Sequence, residues 1–308
     1  MAMTEGHPAL KDIRVLERGW LSSNNVLISD ETGLTVIDSG YSAHAEQTEV
    51  LVRRALDGRR LTRLINTHLH SDHCGGNARL QSAHDCEIWI PPGQWSDVLA
   101  WDTDALTYAP TGQRCERFVP DHALTPGSSI ELGGRPWSVI SAPGHDPHSV
   151  ILFDPREGVL ISADALWEDG FGIVFPELEG ISAFSDAAAV FDLIESLGAR
   201  ITIPGHGRPF VDMKLALIRA RRRLDAFVAD PTKHARHAAK VLIKFRLLER
   251  QKEPEKKTLA WAGRLRYLHM IQERYFASRT WQSWITEIIN AMCQTGALRR
   301  DGIDLLNM

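Results

Sequence analysis

Residues 67–77 read Thr-His-Leu-His-Ser-Asp-His-Cys-Gly-Gly-Asn, and this stretch decides how the rest of the chain is interpreted. It follows a short apolar run and precedes a pattern typical of a helix. In an extended chain His68 and His70 point the same way, because side chains on one face of a strand are two residues apart. A turn after them brings Asp72 and His73 to a second position nearby. Imidazole and carboxylate groups together suit Zn²⁺, and also Fe or Mn, better than Ca²⁺ or Mg²⁺.

Three more candidate metal ligands follow apolar runs that read as strands. His145 stands in Ala-Pro-Gly-His after residues 137–141, and Asp164 stands in Ser-Ala-Asp-Ala at the end of residues 158–162. His206 stands in Pro-Gly-His-Gly after residues 201–203. Loops held by rigid strands are where converging ligands are expected. The sequence therefore predicts one metal site built from His68, His70, Asp72, His73, His145, Asp164 and His206.

The order of these motifs resembles that of the metallo-β-lactamase superfamily, and their contexts are most similar to its glyoxalase II-like branch. The resemblance covers roughly residues 15–210. It implies that one metal is held by His68, His70 and His145, the other by Asp72, His73 and His206, with Asp164 bridging them. The segment Val-Ile-Asp-Ser-Gly at residues 36–40 is similar to another family element, which implies that Asp38 is a supporting carboxylate behind the ligands. One class of true β-lactamases has Cys where Asp164 stands, so antibiotic hydrolysis by that class is not expected.

Short apolar runs alternate with a few helical patterns in the first two thirds of the chain. Strands are predicted at Asn25–Ser29, Leu34–Ile37, Arg63–Asn66, Glu87–Ile90, Trp137–Ser141, Val150–Phe153, Val159–Ser162 and Ile201–Ile203. Helices are predicted at His44–Leu56, Asn77–Ala83 and Ala183–Ser196. Strand pairs with intervening helices indicate two mixed sheets with helices outside. We therefore expect an α+β fold, the αββα sandwich of the metallo-β-lactamase type.

The charge distribution predicts a boundary near Phe210. Residues 1–210 hold 15 Lys/Arg and 29 Asp/Glu, a net charge of −14, whereas residues 211–308 hold 20 and 10, a net charge of +10. We therefore expect a metal-binding catalytic domain at 1–210 and a basic, mainly helical domain at 211–308. Helices are predicted at Met213–Ala229, His234–Arg250, Leu259–Phe276 and Thr280–Thr295, with an exposed loop at Lys252–Lys257. The last residues fit a small β-wing, so this region is interpreted as winged-helix-like.

Composition excludes several other classes of protein. The chain has 308 residues, of which 44% are hydrophobic, an ordinary globular composition. Its four cysteines form no CxxC pair, so neither a disulfide framework nor a thiolate zinc site is indicated. The first residues lack the apolar region of a secretory signal, and no run of about 18 apolar residues predicts a membrane span. The cytoplasm is the expected location.

The predicted site favours a metal-dependent hydrolase. Two divalent ions, with zinc favoured and Fe or Mn as alternatives, would generate a bridging hydroxide and polarise a carbonyl oxygen. Asp72 is the predicted catalytic residue, relaying a proton to the leaving group. The resemblance to the glyoxalase II-like branch implies a small ester, thioester or lactone as the substrate. The aromatic segment at residues 166–176 is read either as the wall of the substrate cleft, with Trp95 and Trp101 beside it, or as ordinary core.

Other functions stay open from the sequence. A nuclease or phosphodiesterase acting on RNA would use the basic C-terminal part, and a mononuclear iron enzyme would oxidise a persulfide. A binding module with a vestigial site is the weakest reading, since the ligand set is complete. The arginines at 219 and 221–223 form a basic run on a predicted helix. Such a run is read either as a solvated face or as contact with an anionic substrate or RNA phosphates.

Overall fold

The first sheet of the computed structural model, which describes residues 7–308, has six strands. In spatial order they are β1 (Ile13–Leu16), β2 (Asn25–Asp30), β3 (Gly33–Ile37), β4 (Leu61–Ile65), β5 (Glu87–Ile90) and β6 (His122–Ala123). Strand β2 is antiparallel to both of its neighbours, β1 and β3. From β3 onward each strand runs parallel to the next. The sheet is therefore mixed, as predicted.

The second sheet has five strands and is also mixed. Its strands are β7 (Ser129–Leu132), β8 (Arg135–Ser141), β9 (Val150–Asp154), β10 (Val159–Ala163) and β11 (Ile201–Pro204), in the spatial order β11-β10-β9-β8-β7. Only β10 and β11 are parallel. All eight predicted strands are confirmed within one or two residues at each end. The prediction missed the short strands β1, β6 and β7.

Twelve α-helices accompany these sheets in the described part of the chain. They are α1 (Ala45–Leu56), α2 (Ser71–Cys74), α3 (Asn77–His84), α4 (Trp95–Ala100), α5 (Tyr108–Thr111), α6 (Phe175–Glu179), α7 (Phe184–Leu197), α8 (Met213–Ala229), α9 (Pro231–Arg250), α10 (Glu255–Ala262), α11 (Arg266–Tyr275) and α12 (Trp281–Gln294). Asp212 and Asp230 cap α8 and α9 by accepting backbone hydrogen bonds, and Pro231 occupies the first turn of α9.

Three apolar layers create the αββα sandwich. Residues from the facing sides of both sheets, Ile37 and Ile161 among them, share one buried cluster. The outer face of the first sheet packs against α1 and α3, and that of the second packs against α7 and α8. Both faces of the central strands are therefore covered, which explains why they read as continuous apolar runs. The predicted sandwich is confirmed.

The C-terminal helices build a separate buried cluster around Trp284, and a small sheet closes the chain. This third sheet has the order β12-β14-β13, with β12 at Lys252–Pro254, β13 at Leu298–Asp301 and β14 at Asp304–Asn307. Strands β13 and β14 are the predicted wing. No helix of residues 7–308 is long and apolar enough to cross a membrane. The cytoplasmic location stays a prediction.

Two expectations for the C-terminal part were wrong. The segment 252–257, expected to be a loop, supplies β12 and the first turn of α10, because β12 pairs in register with β14. The expected single helix at 259–276 is two helices, α10 and α11, which end and begin on either side of Gly263. Helix α8 packs on the second sheet, whereas α9 belongs to the C-terminal cluster. The division near Phe210 stays a prediction.

Candidate metal centre

The first group of candidate ligands is His68, His70 and His145, whose donor atoms all lie within 4.8 Å of one another. His68 and His70 follow β4, and His145 follows β8, so the two sheets contribute from neighbouring strand ends. The Nδ1 atom of His70 lies 2.8 Å from Nε2 of His145. Three imidazoles converge here, which is the geometry of a metal site open toward one side.

The second group is Asp72, His73 and His206, again with donor atoms within 4.8 Å of one another. Asp72 and His73 lie on the single turn of α2, and His206 follows β11. Oδ2 of Asp72 is 3.1 Å from Nε2 of His206 and 4.0 Å from Nε2 of His73. The turn at α2 therefore carries these two side chains round to a second position, as the sequence predicts.

Asp164 lies between the two groups. One carboxylate oxygen is 3.3 Å from Nε2 of His73, and the other is 3.5 Å from Nε2 of His145 and 3.8 Å from Nε2 of His206. Asp164 is buried, at the end of β10. All seven predicted residues are therefore brought together, and Asp164 is placed to contact both groups.

Hydrogen bonds from the rear of the rings fix how three histidines face the centre. Nδ1 of His73 is 2.7 Å from the Asp38 carboxylate, Nδ1 of His145 is 2.6 Å from the Ile173 carbonyl, and Nδ1 of His206 is 3.0 Å from the Gly19 carbonyl. Because these partners only accept, each Nδ1 must donate, so Nε2 is the nitrogen of each ring that faces the centre. Asp38 thus contacts one of the candidate ligands from behind, where the sequence predicts it.

Opposite charges set the electrostatics of the centre. Burial opposes ionisation of Asp164, but the His73 and His206 rings outweigh it and hold the pKa of Asp164 well below its usual range. Burial likewise opposes a charge on His73, yet Asp164 and Asp38 raise its pKa well above the usual value. Burial and the neighbouring His70 lower the pKa of His145 to about 4. Asp164 is thus ionised and lies close to histidines of both groups, which favours binding of a cation between them.

Two strained backbone positions and two glycines allow the candidate ligands to lie this close together. Asp38 and Ala163 have φ values of 58° and 46°, in the left-handed region that disfavours residues with a Cβ. A Cβ on Gly205 would lie 2.2 Å from Oδ1 of Asp164, and one on Gly172 would lie 2.3 Å from Nδ1 of His145. Larger residues at these two glycines would displace the candidate ligands.

The donor set fits divalent metal ions. The buried Nε2 atom of His68 has no hydrogen-bond partner among residues 7–308, although an imidazole nitrogen in the interior normally has one. His68 belongs to the group with His70 and His145, and a third group of donor atoms within 4.8 Å of one another joins it with His73 and Asp164. Five imidazoles and two carboxylates match the preferences of zinc and of iron or manganese.

A cleft of about 490 Å³ opens beside the centre. Its walls include the segment predicted for this role, through Trp167, Ile173 and Phe175, and residues of α8 and α9 complete it. Trp20, which the sequence did not indicate, stacks on His206 at 5.4 Å and meets Trp167 edge-on. The volume and the aromatic lining suit a small organic molecule.

Two expectations about the surroundings need correction. Trp95 and Trp101 do not line this cleft, because they pack on the outer side of the first sheet. The basic run on α8 is not one uniform solvated face. Arg219 pairs with Asp169 at 2.9 Å, and Arg221 pairs with Asp192 and Glu195 at 2.7 and 2.6 Å. Arginines of the basic C-terminal part therefore form ion pairs with acidic residues of the first 210 residues.

Known sequences match the part of the chain that contains all seven candidate ligands. The family model described as the metallo-beta-lactamase superfamily matches residues 18–206. A hydroxyacylglutathione hydrolase of Rhodopseudomonas palustris is 29% identical over 154 residues, covering 48% of this chain and 52% of that protein. The human acyl-coenzyme A thioesterase MBLAC2 is 27% identical over 210 residues, covering 62% of this chain and 73% of that protein. The matched region thus spans about half the length of the first relative.

The fold is similar to solved structures along nearly the whole chain. A β-lactamase domain protein from Burkholderia ambifaria superposes with a TM-score of 0.61 and 20% identity. The superposition covers 96% of this chain and 92% of that one, so it includes the C-terminal helices. At this identity the similarity concerns the fold alone.

Proposed function

This chain belongs to the metallo-β-lactamase superfamily, and we propose that it is a hydrolase that uses two divalent metal ions to cleave a small ester, thioester or lactone. The observation that carries the proposal is the convergence of seven donor side chains, five of which line one cleft. Zinc is the first candidate metal, because its preferred ligands are imidazole nitrogen and carboxylate oxygen. Iron accepts the same donors and is the alternative.

The proposed ligand assignment follows the two groups of donors. His68, His70 and His145 would hold one ion, and Asp72, His73 and His206 the other. Asp164 would contact both, since its two oxygens face histidines of both groups.

The protein's own residues supply the positioning and the proton transfer. A bound pair of divalent cations provides water of lowered pKa and polarises a carbonyl oxygen. Asp72 lines the cleft and directs Oδ2 to His206, 3.1 Å away. Burial opposes the charge of Asp72, but the hydrogen bond from His206 and the nearby His73 outweigh it and lower the pKa of Asp72, so its carboxylate is ionised near neutral pH. We assign Asp72 as the group that takes a proton from the attacking water and passes it to the leaving group.

Thioesters are the first substrates to test. The matched relatives are named for hydrolysis of hydroxyacylglutathione and of acyl-coenzyme A. The aromatic and aliphatic walls of the cleft, with Phe175 and Phe245 among them, suit an acyl chain. The RNA alternative loses support, because Arg219 and Arg221 already pair with acidic side chains of the same chain.

A substrate panel with defined metal content tests the proposal. Chelated protein is reloaded with zinc, iron or manganese, and the metal is counted by elemental analysis. Release of free thiol from S-acyl glutathione and acyl-coenzyme A is followed with a thiol reagent, beside lactone, phosphodiester and RNA substrates. We expect thioester turnover that is lost on chelation, is restored by metal and is absent from the Asp164→Ala variant.

Three outcomes would overturn the proposal. Cleavage of RNA or phosphodiesters with no thioester or ester turnover would make the protein a nuclease. Oxygen consumption with a persulfide substrate on an iron-loaded sample would make it a dioxygenase. A chain that binds no metal after reloading would remove the basis for any of these activities.

A further inference from the structure

Arg223 of α8 lies in the wall of the metal cleft, half-buried between two aromatic side chains. Its guanidinium carbon is 5.4 Å from the ring centroids of both Phe171 and Phe227. A Cβ added to Gly170 would lie only 2.5 Å from Nη1 of Arg223, so glycine leaves the space that this nitrogen occupies. The guanidinium is therefore held between two aromatic rings in the cleft wall.

The partner of Arg223 is a neutral histidine. Nη2 of Arg223 lies 2.6 Å from Nε2 of His237, which also lines the cleft. Burial, followed by the charge of Arg223 itself, lowers the pKa of His237 to about 3. His237 is therefore uncharged at neutral pH and accepts this hydrogen bond. It orients the guanidinium without neutralising it.

No carboxylate of residues 7–308 forms an ion pair with Arg223, in contrast to its neighbours on α8. Arg219 and Arg221 form ion pairs with acidic residues, and Arg222 is exposed to water. Burial alone lowers the pKa of Arg223, with no acidic group raising it. A cation taken partly out of water and left without a counter-ion is unfavourable for the folded protein. An anionic ligand in the cleft would remove that penalty.

The other cations of the cleft are engaged elsewhere. Lys244 donates to the backbone oxygens of Ala297 and Met308, at 2.8 Å each. Arg208 lies 3.7 Å from Glu17, and both are exposed. Among the described residues that line the cleft, Arg223 is thus the half-buried cation with free donor capacity.

We propose that Arg223 binds a carboxylate at the far end of the substrate, so that the enzyme prefers acyl groups bearing a terminal acid. A guanidinium presents planar paired donors that match a carboxylate, and the neutral His237 and the two phenyl rings hold that plane in place. This inference rests on the proposed hydrolase function and names the substrate class within it. Arg223 acts here as a specificity residue, separate from the metal ligands.

Binding measurements test Arg223 without requiring turnover. Linear dicarboxylates from succinate to suberate are titrated against the matched monocarboxylates, and the fluorescence of Trp20 and Trp167 in the cleft reports binding. We expect one diacid length to bind more tightly than its monoacid by roughly 10- to 100-fold, the usual effect of a charge-assisted hydrogen bond. Arg223→Met should abolish this difference and leave the affinity for the monoacid unchanged.

The controls separate specificity from folding. Arg222→Met removes the adjacent, exposed arginine of the same helix and should behave as the wild type. If Arg223→Met fails to fold, Arg223→Lys keeps the charge without the planar donors and should retain only part of the preference. Equal binding of diacid and monoacid by the wild type would overturn the proposal, as would a preference that survives in Arg223→Met. Tighter binding of an alkyl phosphate than of any diacid would overturn the assignment to a carboxylate.

Activity measurements then tell the two proposals apart. The N-acetylcysteamine thioesters of the diacid length that binds best and of its matched monoacid, such as glutaryl and pentanoyl, differ only in a terminal carboxylate or methyl group. We expect kcat/KM to favour the compound with the terminal carboxylate in the wild type and to be equal for both in Arg223→Met. Hydrolysis of neither compound, combined with selective diacid binding, would refute the choice of reaction and leave the carboxylate site standing. Equal hydrolysis of both by the wild type would refute the carboxylate site alone.

Discussion

Asp38 accepts three hydrogen bonds, and its exchange for asparagine tests how the centre is oriented. The backbone N–H of Thr67 donates at 2.9 Å, its hydroxyl at 2.8 Å, and Nδ1 of His73 at 2.7 Å. Asparagine has the same shape and tolerates the left-handed backbone at this position, where φ is 58°. In Asp38→Asn one oxygen can still serve the Thr67 N–H, but an NH₂ group replaces the oxygen that faces His73.

The substitution should change which nitrogen of His73 carries the proton. An NH₂ donor opposite Nδ1 favours an unprotonated Nδ1, and the ring proton then moves to Nε2, the atom that faces the centre. A protonated Nε2 cannot bind a metal. Loss of such supporting contacts typically weakens metal binding 10- to 100-fold, or about 1.4–2.7 kcal/mol.

Only one of two metal ions should be affected. His73 forms one donor group with Asp72 and His206 and another with His68 and Asp164, but it does not belong to the group of His68, His70 and His145 proposed to hold the other ion. Competition with a zinc-binding dye resolves the two dissociation constants. We expect one constant to rise about 10- to 100-fold in Asp38→Asn and the other to stay within about threefold.

The matched control is Asp85→Asn, at an exposed position that ends α3 with the same left-handed backbone. It should bind zinc as the wild type does. Melting curves followed by circular dichroism show whether each variant folds. Two unchanged zinc constants in a folded Asp38→Asn protein would refute the argument from hydrogen-bond direction.

Three further predictions concern the metals and the buried histidine of α9. Asp164→Ala should hold less than about one metal ion per chain after gel filtration, against about two in the wild type, because Asp164 faces both groups of ligands. If elemental analysis found two ions in the variant, Asp164 would not be the residue that contacts both. Chelation should lower the melting temperature by about 5–10 °C relative to protein with zinc at a hundredfold excess over its dissociation constant, since such binding stabilises by about 2.7 kcal/mol; identical melting curves would count against a metal that links the two sheets. Burial and then the charge of Arg223 lower the pKa of His234 to about 4, so the folded protein keeps this side chain neutral while the unfolded chain protonates it below about pH 6.5. Stability should therefore fall as the pH drops from 6.5 to 4, by up to about 3 kcal/mol from this group. In chelator-treated samples unfolded by urea, His234→Asn should show a shallower fall, and an equal slope would exclude the contribution.

The sequence indicates where the candidate ligands come together, because each one follows a strand with a clear apolar pattern. His145, Asp164 and His206 come after β8, β10 and β11, whose ends point to the same edge of the second sheet. Local pattern and chain direction thus place these residues without knowledge of the packing. The motif at residues 36–40 indicates that Asp38 supports the candidate ligands. It does not indicate that His73 is the ring that Asp38 contacts.

The remaining features depend on contacts between distant parts of the chain. Strand β12 carries mostly charged residues, yet Glu253 lies opposite Leu305, where it pairs with Arg246 at 2.6 Å. No local pattern reveals such pairing, so a loop was expected there. Arg223 reads as one more arginine of a basic run, and only the packing of Phe171 and Phe227 around it separates it from Arg221. The cleft wall is a product of tertiary structure.

The donors and much of the cleft wall come from different parts of the chain, and this has a consequence for substrate preference. The seven donors lie on the strand-end loops of residues 68–73, 145, 164 and 206, whereas much of the opposite wall comes from α8 and α9. Amino-acid replacements in these two helices alter the shape and charge offered to an acyl group without touching a donor. Substrate preference can therefore change through replacements in these helices while the seven donors stay the same.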